Sequence, residues 1–110
     1  MKIPEKDIQQ AIIEYLEFKK YLVFRTNSGD SFIPCGNGRT RRIKGLPKGF
    51  PDLMVMYNDP DLDIGITDFI EVKSEKGKLN PDQKSMHSML VYNGFMVYVF
   101  HSIDECMEIF

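Results

Sequence analysis

Residues 66–100 read as a strand, a capped helix and a second strand, and that succession leaves few folds open. Ile66–Lys73 (ITDFIEVK), preceded by an Asn-Asp-Pro-rich turn, reads as a strand, and Phe95–Phe100 (FMVYVF) is a short run of aromatic and β-branched residues that reads as a buried strand. Between them Asn80, Pro81 and Gln83 stand at the N-cap, N1 and N3 positions of a capping box, and Asn93-Gly94 closes the helix. Two strands joined by a helical crossover lie parallel, with a right-handed connection. Upstream, Pro51–Tyr57 (PDLMVMY) is another strand, and a connection of about eight residues to Ile66 suits an antiparallel pair. The sheet is therefore mixed, with a helix packed on it.

The rest of the chain fits around this unit. Over residues 4–19, Ile8, Ala11, Ile12, Tyr15 and Leu16 form one helical stripe while Asp7, Glu14 and Glu17 point away, and Pro4 suits the first turn. Residues 21–26 (YLVFRT) read as a short buried strand. Residues 27–49 are rich in Gly, Ser, Asn and Arg and read as a long connection, with room for a short ribbon through TRRIK. Met86, Met89 and Leu90 of the second helix read as core, and Ser102 with Glu105 starts a short terminal helix. The expected fold is α/β, in the order α-β-β-β-α-β, with a mixed four-stranded sheet flanked by helices. In 110 residues this is one domain, spanning 1–110.

Several functional classes drop out. Cys35 and Cys106 read as free thiols, and the isolated His87 and His101 leave no zinc-ligand spacing. No apolar run is long enough to span a bilayer and MKIPEKDIQQ has no signal-like apolar stretch, so the chain reads as soluble and intracellular. The net charge of −2 is unevenly spread: Arg39, Arg41, Arg42, Lys44 and Lys48 lie in a stretch without acids. Such a stretch either neutralises phosphates or is a solvated basic loop.

Strand alternation puts Glu71 and Lys73 on one face. With Tyr57 opposite Ile66, Asp52 falls across from Glu71, with Cβ atoms roughly 4.5–5.5 Å apart. Carboxylates that close either take up a proton or share a cation, and a hard ion such as Mg2+ or Mn2+ suits them, with the Val72 carbonyl as a third ligand. The plainer alternative leaves Asp52 at a turn and Glu71–Lys73 as an edge-strand ion pair. Glu5 lies about 40° from the centre of the first helix's stripe, either as an inward carboxylate needing a partner or as an acid favoured by the helix dipole. Gln9 shares either environment.

Gly49-Phe50-Pro51-Asp52, a hairpin turn, and Glu71-Val72-Lys73 resemble the signature of PD-(D/E)XK nucleases. Together with E..IQ..I..YL (5–16), FRTNSG (24–29), EVKSEKGKLNPDQ (71–83) and NGFMVYV (93–99), they resemble the VRR-NUC branch, the virus-type replication-repair nucleases, over nearly the whole chain. The resemblance implies a restriction-endonuclease-like core and a catalytic set of Glu5, Asp52, Glu71, Lys73 and Gln83. Asp52, Glu71 and the Val72 carbonyl would bind Mg2+ or Mn2+, Lys73 would orient or activate water, and Gln83 would hold a water or phosphate besides capping its helix. Arg25, Arg39, Arg41, Arg42, Lys44, Lys48, Ser74, Lys76 and Lys78 are the nucleic-acid candidates. The implied activity is metal-dependent endonucleolytic hydrolysis of DNA in replication or repair, on branched substrates such as four-way Holliday junctions. It would yield 5′-phosphate and 3′-hydroxyl ends and need no organic cofactor. Because one site cuts one bond while such substrates have paired strands, a homodimer is expected. The size is reminiscent of viral members, which would place the protein in a host cytoplasm. A non-catalytic nucleic-acid-binding module of the same fold, or RNA as substrate, is the alternative.

Overall fold

The computed structural model describes residues 2–110. Helix α1 (Glu5–Phe18) is followed by strands β1 (Leu22–Arg25), β2 (Ser31–Gly36), β3 (Arg39–Ile43), β4 (Leu53–Asp59) and β5 (Ile64–Val72). Helix α2 (Pro81–Tyr92), strand β6 (Met96–Phe100) and helix α3 (Ile103–Ile109) complete the chain. The main sheet has the order β1-β4-β5-β6, antiparallel except for the parallel β5/β6 pair. The mixed four-stranded sheet flanked by helices is therefore as the sequence predicts, and Tyr57 does pair with Ile66.

Helix α1 forms because Ile8, Ile12 and Leu16 recur at one-turn spacing and are all buried. Pro4 is its N-cap rather than a first-turn residue, and the Pro4 carbonyl accepts from Asp7 N and Ile8 N at 3.0 and 3.2 Å. The helix stops in a Schellman arrangement: Lys20 takes a φ of 73°, and Tyr21 N donates to Leu16 O at 3.0 Å. The α1 stripe packs on Leu53, Val55, Ile70, Val72, Phe100 and Cys106. Burial of each large aliphatic side chain contributes roughly 1.5–3 kcal/mol against leaving it in water. The same layer holds Asp68, 2% exposed, whose Oδ2 accepts from the Tyr57 hydroxyl at 2.8 Å.

The two edge strands are less buried than their composition predicts. Leu22 and Phe24 of β1 are 59% and 48% exposed, because β1 is the sheet's outer strand and its side chains that turn toward α1 are Val23 and Arg25. Leu22 and Phe24 pair with Met56 and Met54, so these four share the sheet face opposite α1. Helix α2 lies along β6 and leaves the β1 side of that face open. Met96, at the start of the edge strand β6 and paired with Asp68 on the α1 face, is also exposed, and Met89 of α2, expected in the core, is 57% exposed.

Residues 27–49 hold more structure than a loop with a ribbon through TRRIK. Strands β2 and β3 form a separate antiparallel hairpin with a register shift between Pro34 and Gly36. Its two-residue turn, Asn37-Gly38, has φ of 53° and 71°, the left-handed pair that matches strand twist. Every hairpin residue is exposed. The neck is clamped: Gly29 N donates to Leu46 O at 2.8 Å, and Asp30 receives Gly45 N at 3.3 Å and pairs with Arg42 at 3.0 Å.

At α3, Ser102 caps Glu105 N at 3.2 Å, but the Glu105 carboxylate reaches back to His101 N at 2.7 Å rather than to the cap residue. Cys35 is exposed, Cys106 is buried, and both are free thiols. Among the described residues no helix is long and apolar enough to cross a membrane.

Candidate active site

The site forms where β4 begins and β5 ends. Asp52 directly precedes β4, and its Oδ2 accepts from Val72 N at 2.8 Å, which pins the carboxylate across the end of β5. The ladder from Leu53–Ile70 to Asp59–Ile64 continues by one step to bring Asp52 beside Glu71. The backbone of Asp52 is fixed too, since its carbonyl accepts from Thr26 N at 3.0 Å and Thr26 Oγ1 at 3.2 Å. Gly49 makes the approach to Asp52 workable. It sits at a φ of +83°, and a Cβ there would lie 2.3 Å from Asp82 O at the start of α2. Phe50 packs edge-on against Phe69 at 5.3 Å, and Phe69 against Phe95 at 5.6 Å, giving the segment an apolar floor.

Glu71 is 1% exposed, and both carboxylate oxygens face α2. Oε1 lies 3.0 Å from His87 Nε2, and Oε2 accepts from Gln83 Nε2 at 3.4 Å. The Gln83 amide oxygen meanwhile accepts from Asn80 N at 3.0 Å, and Asn80 Oδ1 accepts from Gln83 N at 2.9 Å. The capping box and the contact with Glu71 thus coexist in one side chain.

Burial pushes the Glu71 carboxyl up to about 9, reinforced by the hydrogen bond and charge of Asp52 and by Glu5, with Lys73 opposing. The His87 imidazole is driven down, first by its own burial and then by the Lys73 charge, against the pull of Asp52. At neutral pH the close His87–Glu71 contact is therefore a hydrogen bond between neutral groups and not an ion pair. Only a proton or a cation satisfies a carboxylate pair this enclosed. Among the described residues no group of three or more His, Cys, Asp and Glu side chains is placed to hold a metal. The donor set fits a hard ion that takes two carboxylates, here Asp52 and Glu71, and fills its shell with a backbone carbonyl such as that of Val72 and water.

The other candidates divide by location. Lys73 is half-buried just past β5, anchored through its backbone N to Phe100 O at 2.9 Å, and its charge acts on both Glu71 and His87. Glu5 opens α1 and is exposed rather than directed inward, because the helix begins there and its first turn faces water; its charge still reaches Glu71. Gln9 is half-buried. Ser74 is half-buried, and exposed Lys76 and Lys78 follow on a turn closed by Gly77 N to Ser74 O at 2.9 Å. Arg25 is tied to α1 through Nη2 to Gln10 Oε1 at 2.6 Å. Arg39, Arg41 and Arg42 stand on the hairpin and Lys44 and Lys48 follow it, all exposed; of these, Arg42 pairs with Asp30.

His87 is the residue that sequence reasoning missed. Read alone it is an isolated histidine, yet it lies one helical turn beyond Gln83, on the same face of α2. That spacing was the available signal.

The VRR-NUC domain family matches residues 3–104. A solved structure titled "VRR_NUC domain" aligns with a TM-score of 0.65 and 29% identity, covering 96% of this chain and 96% of its own. No curated protein matches the sequence. The family match runs from the residues before α1 into α3, and so takes in every element that shapes the carboxylate site: the GFPD approach, β5 with its Glu-Val-Lys end, and α2. The chain belongs to the VRR-NUC family of nuclease-type domains.

Proposed function

We propose that the protein is a Mg2+- or Mn2+-dependent endonuclease that hydrolyses phosphodiester bonds in branched DNA. The observation that carries this reading is Glu71: an almost fully enclosed carboxylate beside Asp52, with its proton affinity raised, at the strand end that also carries Lys73. A structural ion pair needs no second carboxylate there. Asp52, Glu71 and the Val72 carbonyl hold the ion. A divalent cation so held supplies Lewis-acid polarisation of the phosphate and lowers the pKa of water.

The protein's own groups do the rest. The Lys73 ammonium orients the attacking water and offsets charge that develops on the phosphate. Gln83 gives one amide hydrogen to Glu71 and has a second for a water or a phosphate oxygen. Glu5, exposed at the rim, orients solvent. The β2–β3 hairpin grips the substrate: a two-stranded ribbon is of a size that a DNA major groove admits, and Arg39, Arg41, Arg42, Lys44 and Lys48 supply phosphate contacts. Arg25, Ser74, Lys76 and Lys78 add contacts nearer the strand ends. Two copies related by a two-fold axis would address the paired strands of a junction.

Labelled linear, flap and four-way-junction DNA, incubated with Mg2+, Mn2+ or EDTA, tests the proposal. Cleavage of the junction that EDTA abolishes is expected, with light scattering reporting a dimer. Tight binding to every substrate without cleavage under either metal would instead support a non-catalytic binding module, which the exposed basic hairpin would equally serve.

A further inference from the structure

Helix α2 turns two side chains, Gln83 and His87, onto the same carboxylate. The capping box explains why Gln83 is where it is. Nothing comparable explains His87. It is 8% exposed on a helix whose other side chains are half-buried or exposed, and its Nε2 lies 3.0 Å from Glu71 Oε1, sixteen residues away in the chain. A buried polar ring at that position is costly unless its nitrogen is partnered, and an aliphatic residue would fill the space at less cost. The ring therefore has a use that packing does not supply.

Resting on the metal-nuclease reading above, we infer that His87 is a positioning residue: its Nε2–H donates to Glu71 Oε1 and holds the carboxylate in the rotamer that receives the divalent ion. The chemistry suits the task. A carboxylate offers about four lone-pair directions, so one hydrogen bond to Oε1 leaves both oxygens able to ligate. A neutral donor restrains the anion without cancelling its charge, which a lysine in the same place would do. Imidazole has only two side-chain torsions, so little freedom remains between α2 and the carboxylate. Gln83 alone gives a weaker hold, since its bond to Oε2 is long at 3.4 Å and its amide oxygen is committed to Asn80 N. The tautomer follows from the role: the proton sits on Nε2 when Glu71 is ionised and the ion is bound.

His87→Phe keeps a buried ring and removes the donor; His87→Gln keeps an amide donor at a reach close to Nε2; His87→Asn carries the same amide one carbon shorter. Mn2+ binding to each metal-free protein is followed by calorimetry and electron paramagnetic resonance. Cleavage is then measured at saturating Mn2+, and thermal unfolding in EDTA checks the fold. Mn2+ affinity should fall about 10- to 100-fold in His87→Phe and His87→Asn, and return to within a few-fold of wild type in His87→Gln. Saturating Mn2+ should recover most of the lost cleavage, because the residue acts through the ligand and not on the phosphate. Wild-type affinity in His87→Phe overturns the inference. So does equal affinity in His87→Gln and His87→Asn, which would leave His87 as packing whether or not the phenyl variant folds. Should the wild type bind Mn2+ no better than Asp52→Ala, the metal reading of the site fails first, and this inference with it.

Discussion

Replacing Glu71 with Gln removes a titration while keeping the side chain's shape, and the structure fixes what that should do to stability. In metal-free protein the folded-state carboxyl is raised from 4.5 to about 9, by burial first and by Asp52 second. Between those values the native state carries a proton that the unfolded chain has released, so stability falls as pH rises. The contribution is fully present below pH 4.5 and is lost as pH climbs through about 9. One such group gives a slope of at most about 1.4 kcal/mol per pH unit. His87 has the opposite sign: its folded pKa is lowered from 6.5, so its effect is a loss of stability as pH falls below that value. From about pH 7.5 to 9 His87 is neutral in both states, and because the buried Cys106 thiol, pushed up to about 11, titrates alike in both proteins, the difference between wild type and Glu71→Gln reports Glu71. Urea unfolding in EDTA across that window should show the wild type losing roughly 1 kcal/mol per pH unit relative to Glu71→Gln. Parallel pH profiles for the two proteins would refute the claim that Glu71 is protonated when no cation is present. Added Mn2+ should remove the wild-type slope, because the ion binds the ionised pair and replaces the proton.

Three further outcomes are expected. Lys73→Ala should lose most of the cleavage rate at saturating metal and keep Mn2+ affinity, since an ammonium is no ligand; an affinity loss equal to that of Glu71→Ala would contradict the division of roles. Neutralising Arg39, Arg41 and Arg42 together should weaken binding across sequences and flatten the salt dependence by about 0.9 per lost duplex phosphate contact, whereas an unchanged slope returns the hairpin to a solvated element. Gly49→Ala should destabilise the fold by on the order of 2–4 kcal/mol in urea unfolding, because its φ is positive and its Cβ would meet Asp82 O; a change under about 0.5 kcal/mol would show that the approach to α2 is loose.

The parts of this fold legible from sequence are those set by near neighbours. Asn80, Pro81, Gln83 and Asn93-Gly94 mark both ends of α2 because caps are local hydrogen-bond problems. The β4/β5 register supposed from sequence, with Tyr57 opposite Ile66, is the one observed, and it carries Asp52 to Glu71. Burial was less legible, because it depends on what lies above a face. Tyr21–Thr26 reads as a core strand by composition, yet Leu22 and Phe24 are exposed since α2 covers only the β6 side of that face. Strand β2 went unseen because SFIPCG contains a proline and a glycine, which an isolated hairpin accommodates at a bulge, although the Asn37-Gly38 turn was a usable sign. The contact of His87 with Glu71 arises only when α2 docks on the sheet, and its one local sign is the one-turn spacing from Gln83.

On the proposed function, Asp52 and Glu71 together hold a divalent ion that is needed for cleavage. Titrating Mn2+ into wild type, Asp52→Ala and Glu71→Ala, and following junction cleavage in the same samples, tests it most directly. The wild type should bind Mn2+ and cut, both variants should stay folded, and both should lose metal binding and cleavage together. Full cleavage by either folded variant under Mg2+ or Mn2+ would contradict it.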